Sequence, residues 1–195
     1  MGILFSKYEK LNKKNLTIYS IINITVKKEI LVIRDRMANH MNNLEDIKIV
    51  IGGLDNAGKT SALIALRKKY NFHEEVKNLK PTIKIEYNSF DFINKYTINI
   101  WDMGGQQKYR KIYVNNPIYF TETNYLYYLI DIQDEFKIEE SVHYLHDLLD
   151  IFRDMGYTNE LILCFNKYDP KYRDNEEFVD RVEMIKNLIL THNKD

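Results

Sequence analysis

Lys59, Thr60 and Ser61 follow Gly58 directly, and Gly53 stands five residues before Gly58. The spacing G-x-x-x-x-G-K-[ST] comes straight after the apolar stretch 47–51 and opens a segment with helical spacing, the context this pattern requires. Glycines let the backbone curl, so that the N–H groups of Asp55, Asn56, Ala57 and Gly58 can point inward at an anion. The helix N-terminus behind them adds partial positive charge. A lysine at position 59 would reach the outer phosphates of a nucleotide, and the Thr60 hydroxyl would bind Mg²⁺, with Ser61 in the same first turn. The bland alternative, a glycine-rich turn with a solvated lysine, does not need a strand before it and a helix after it.

Three further segments carry matching chemistry. Trp101-Asp102-Met103-Gly104-Gly105-Gln106 ends an apolar strand. A carboxylate at a strand's carboxyl end sits where ligands bind in open α/β sheets. Asp102 could hold a water on Mg²⁺, the Gly104 N–H is the expected γ-phosphate donor with Gly105 beside it, and Gln106 could orient an attacking water. Asn166-Lys167-Tyr168-Asp169 ends another apolar run. A carboxylate at Asp169 can accept from the ring N–H and the exocyclic amine of guanine, a pair adenine lacks, while Asn166 and the Lys167 stem brace ring and loops. Thr82, in Pro81-Thr82 between the first helix and the second strand of this region, could be a second Mg²⁺ ligand. Gly-Gly, N-K-x-D and a loop threonine are each weak signals alone; their order along one chain gives them weight.

These residues need elements to position them. Alternating and helical apolar periods predict strands over 47–53, 84–92, 96–102, 124–131 and 161–167. They predict helices over 58–70, 138–154 and 175–191, and a tight turn at Asn94-Lys95. Strands alternating with helices argue for a mostly parallel sheet covered on both faces. Before this region, 16–26 reads as a strand, and Ile30, Ile33, Met37, Met41 and Leu44 recur at helical spacing. The reading divides the chain into an N-terminal extension, 1–45, and one nucleotide-binding domain, 46–195.

Composition narrows the function classes. The 28 acidic and 28 basic residues balance, so no overall field points to nucleic acid. The sole cysteine, Cys164, excludes an intramolecular disulfide and suits a reducing, cytoplasmic setting. His143 and His146 share a helix with Asp147 and Asp150, but no third ligand group accompanies them.

Taken together, residues 47–169 resemble the Arf family of small GTPases. The likeness lies in GLDNAGKT (53–60), PTI (81–83), WDMGGQQKYR (101–110) and NKYD (166–169). The resemblance implies a three-layer P-loop NTPase fold, mostly parallel with one antiparallel edge strand. It implies a GTP/GDP switch with Mg²⁺ whose two loops rearrange when the γ-phosphate is lost. Activating proteins, exchange proteins and effectors would be its partners. Lys84 stands where the family usually has Gly, and 111–124 is about three residues longer than usual. The family continues with a sixth strand, a base-contacting Ser-Ala or Cys-Ala loop and a last helix, none of which is found in the 26 residues after Asp169. A C-terminally truncated domain, with the edge beside 161–167 unpaired, is therefore expected. A non-cycling scaffold and an ATP-using P-loop enzyme are the rival readings; Asp169 speaks against the second.

The N-terminus has its own reading. Met1-Gly2-Ile3-Leu4-Phe5-Ser6 fits the myristoylation pattern, and Leu4, Tyr8 and Leu11 are spaced as on one helix face. Four lysines against Glu9 make residues 1–14 basic. A short amphipathic helix lying on an anionic membrane surface is the expectation. The Arf resemblance implies a lipidated helix of that kind.

Overall fold

The computed structural model describes residues 4–10, 16–22, 45–67, 73–92, 96–159, 161–169 and 175–191. Strands β1 (Leu4–Lys10), β2 (Leu16–Ile22) and β3 (Glu45–Gly52) come first. Helices α1 (Lys59–Arg67) and α2 (His73–Lys77) follow, then strands β4 (Ile85–Phe92) and β5 (Tyr96–Met103). Next are α3 (Gln107–Val114), β6 (Tyr125–Asp131), α4 (Ile138–Asp154), β7 (Leu161–Asn166) and α5 (Glu176–Thr191). Among the described residues seven strands form one sheet in the order β1-β2-β7-β6-β3-β5-β4. Its five central strands are parallel, and β4 is antiparallel to β5 at one edge. The P-loop NTPase architecture read from the sequence is present.

Alternation along the strands builds the two layers. Leu161, Leu163 and Phe165 of β7 enter one apolar cluster; Ile162 and Cys164, between them, enter another. Successive side chains point to opposite faces, so the clusters lie on the two sides of the sheet. α3, α4 and α5 cover the first side through Tyr113, Leu145, Leu148 and Ile185. Ala57 and Leu63, at and after the loop before α1, enter the second with Ile47, Ile49 and Ile51 of β3. Leu145 and Leu148 are fully buried, and each such side chain contributes roughly 1.5–3 kcal/mol on removal from water.

The N-terminal region departs from expectation. Residues 4–10 are a strand antiparallel to β2, not part of an amphipathic helix. A helix this short is marginal on its own, and an adjacent strand offers hydrogen bonds that override local spacing. The sheet thus has an antiparallel strand at each edge, not one alone. The edge beside β7 is not bare: β2 pairs with it in parallel, from Leu16 opposite Leu161 to Ser20 opposite Phe165. Among the described residues no strand follows β7, yet its outer side is occupied. Residues 16–22, read as part of a separate extension, belong to the domain's own sheet. Gly2, the helical spacing over 30–44 and the turn at Asn94-Lys95 lie outside the described residues.

Candidate nucleotide-binding cleft

At the carboxyl ends of β3, β5, β6 and β7 lies a cleft of about 610 Å³. Asp55, Asn56, Gly58, Lys59, Thr60 and Ser61 form its floor. Val76, Leu79, Lys80, Pro81 and Thr82 form one wall; Gly105 and Gln106 lie to one side, Asp131, Asp134 and Lys167 to the other. Five segments of the chain therefore meet in one place.

The floor is the turn between β3 and α1. Gly58 has φ +83°, in the left-handed region, and a Cβ there would stand 2.3 Å from Asn166 Nδ2. The site requires a glycine on both counts. Asn166 donates from Nδ2 to Ala57 O at 2.6 Å, so the end of β7 braces this loop. Lys59 is buried, and its Nζ donates to Gly53 O (3.0 Å) and Leu54 O (2.7 Å). Burial pulls its ammonium down to about 8, against upward pushes from Asp102 and Asp55. An anion in the cleft would add to the countercharge of Asp102 and Asp55.

Asp102, next to last in β5, has no exposed surface. Its Oδ2 accepts from Thr60 Oγ1 at 2.5 Å, and Thr60 Oγ1 lies 2.9 Å from Thr82 Oγ1. Oδ1 is buried with no hydrogen-bond partner. Burial raises the carboxyl group's affinity for a proton, opposed by Thr60 and Lys59. Three hard oxygen groups, one with a buried orphan atom, fit the donor chemistry of Mg²⁺.

Gly105 rather than Gly104 faces the cleft. The Gly104 N–H donates to Lys84 O at 2.6 Å, so the amide expected to meet a γ-phosphate is spent inside the protein. A Cβ on Gly105 would lie 2.1 Å from Asp55 N, which packs this glycine against the phosphate loop. Gln106 lines the cleft, and as N-cap of α3 its side chain makes no capping bond. Gly53, Ala57, Asp102 and Asn166 stand behind the lining and hold it. Lys167 lines the cleft at φ +59°, and its Nζ pairs with Asp131 Oδ2 at 2.6 Å. Asp169 is exposed, two residues farther along the same loop.

Four contacts carry no signal in the sequence. Lys137 Nζ reaches Asp55 Oδ1 at 3.2 Å, tying the start of α4 to the phosphate loop. Gln133 Nε2 donates to Lys167 O at 2.6 Å. Arg110 is buried, donates from Nε to Gly105 O (2.8 Å) and pairs with Glu140, so it is held away from the cleft. Lysine, glutamine and arginine side chains give no sequence signal for such long-range pairing.

The sequence profile of the ADP-ribosylation factor family matches residues 33–193. ADP-ribosylation factor-like protein 2 of Drosophila melanogaster is 36% identical over 124 residues, 64% of this chain and 61% of that protein. ADP-ribosylation factor-like protein alp41 of Schizosaccharomyces pombe is 28% identical over 147 residues, 75% of this chain and 73% of that one. The match thus spans about three fifths of the fly protein's length. A solved structure of the Arl6 BBS3 small GTPase of Trypanosoma brucei with bound GppNp aligns over 74% of this chain and 99% of that one. Its identity is 14% and its TM-score 0.45, a likeness too slight to build on. With a family profile covering most of its length and the phosphate loop, switch segments and NKYD loop around one cleft, the chain belongs to the ADP-ribosylation factor family.

Proposed function

We propose that this protein is a guanine-nucleotide switch that binds GTP and GDP with Mg²⁺ and hydrolyses GTP slowly. The observation that carries the reading is the meeting of residues 53–61, 82, 102–106 and 166–167 at one cleft or directly behind it. The phosphate-loop amides and Lys59 would hold the phosphates, and the Asp169 carboxylate would select guanine. Thr60 and Thr82, with Asp102 through water, would hold Mg²⁺, which when bound neutralises charge on the phosphate oxygens. Gln106 would orient the water that attacks the γ-phosphate in line, with the Gly105 N–H toward the oxygens where charge develops.

Arg110 is committed to Gly105 O and Glu140, so the chain offers no arginine of its own from this helix. A partner that inserts an arginine would speed hydrolysis by roughly 10³–10⁵-fold. Such an activating protein, an exchange protein and effectors complete the proposed cycle. Single-turnover hydrolysis of GTP tests the chemistry. Gln106→Leu should slow it at least about tenfold while leaving GDP binding near the unsubstituted value. Equal hydrolysis rates would remove Gln106 from its role.

A further inference from the structure

β2 and β7 run parallel, with Leu16 opposite Leu161 and Ser20 opposite Phe165. They therefore end at the same edge of the sheet, the one that carries the cleft. One residue beyond Phe165 is Asn166, which braces the phosphate loop, and next is Lys167, which lines the cleft. Ile21 and Ile22 carry β2 past Ser20, opposite Phe5 and Leu4 of β1. The strand that delivers the 166–169 loop is thus held by β6 on its inner side and, among the described residues, by β2 on its outer side. A strand with one flank unpaired opens locally at low cost, and the loop it delivers opens with it.

We infer that β2 is a positioning element of the nucleotide site: its pairing with β7 holds the 166–169 loop where it can grip the guanine base. The inference rests on the guanine-nucleotide reading above and adds to it a segment that lies more than 130 residues from the loop it positions. The N-terminal hairpin is then a working part of the site, not an appendage to it.

The register supplies its own test. Tyr19 and Cys164 are partners in the register of β2 and β7, and Cys164 is the only cysteine in the chain. Neighbouring strands lie about 4.8 Å apart, within the Cα separation a disulfide spans. Tyr19→Cys in the full chain, mildly oxidised, should give a peptide linking 19 to 164, and GDP release should be slower than from the same variant reduced. Ile18→Pro, whose position is paired to both β7 and β1, removes a ladder bond. It should speed GDP release at least about tenfold and lower the preference for GDP over IDP severalfold, because inosine lacks the amine that Asp169 would hold. No 19–164 link, equal release from oxidised and reduced Tyr19→Cys, or equal acceleration of GDP and IDP release by Ile18→Pro would each overturn the inference. The oxidation pair decides it if Ile18→Pro fails to fold. An unsubstituted chain that binds no guanine nucleotide removes the functional reading first, and this one with it; a chain that binds but passes none of these tests removes this inference alone.

Discussion

Lys59 is a buried cation beside Asp102 and Asp55, and the proposed nucleotide would bring it further countercharge. Without an anion in the cleft its ammonium titrates at about 8, because burial outweighs Asp102 and Asp55. In the unfolded chain an ordinary lysine titrates near 10.4. Between those values the unfolded state binds more protons, so Lys59's penalty on folding is relieved as pH rises from about 8 toward 10. Phosphate binding has the opposite sign, since the bound phosphates favour the charged form. Guanine-nucleotide affinity should be fully present below pH 8 and fall about tenfold from pH 7 to 9. Lys59→Arg, which keeps its charge, should lack that component when both are titrated. Lys84 shows a residue-scale constraint of another kind. It occupies φ +58°, and its carbonyl accepts from Gly104 N–H and from Tyr113 Oη, both at 2.6 Å. The chain keeps a glycine-like backbone where a lysine stands. Lys84→Gly should stabilise the protein by about 1 kcal/mol in denaturant unfolding, and a β-branched Lys84→Val should destabilise it.

At the scale of elements, α4 supports the site from beneath. Leu148 is fully buried, and Gly52, the last residue of β3 before the phosphate loop, faces its Cδ1 and the Tyr128 ring. Leu148→Ala should cost about 3 kcal/mol in chemical denaturation by opening a cavity under that loop. The elements most legible in the sequence were those with long, unbroken periods. The helix expected over 138–154 spans Ile138–Asp154, and the strands expected over 124–131 and 161–167 begin or end within one residue of the structure. α2 has five residues, too few for a period to emerge, and α3 has only eight and begins immediately after Gly105-Gln106. The residues that line the cleft stood out in the sequence because the phosphate and guanine chemistry proposed for them demands particular types at fixed spacing. Which glycine faces the cleft was not, because that depends on Lys84 O capturing the Gly104 amide across a tertiary contact. Lys137 and Gln133 were invisible for the same reason.

The whole molecule shows what chain order conceals. A strand sought after Asp169 is absent among the described residues, and the place it would fill beside β7 is taken by residues 16–22. Apolar alternation marked that segment as strand-forming, but period says nothing about which neighbour a strand selects. The basic, amphipathic spacing of the first residues likewise carried no information about an available sheet edge, and pairing prevailed over helix. With its outer flank covered, β7 is not the bare edge that made a non-cycling scaffold an attractive alternative.

The most direct measurement is the nucleotide content of the purified full chain with Mg²⁺, followed by competition among GTP, GDP and ATP, with Lys59→Ala as control. Guanine nucleotide bound tightly, undisplaced by ATP and lost in Lys59→Ala is the expected result. A folded chain that binds no guanine nucleotide, or that binds ATP equally well, would contradict the switch.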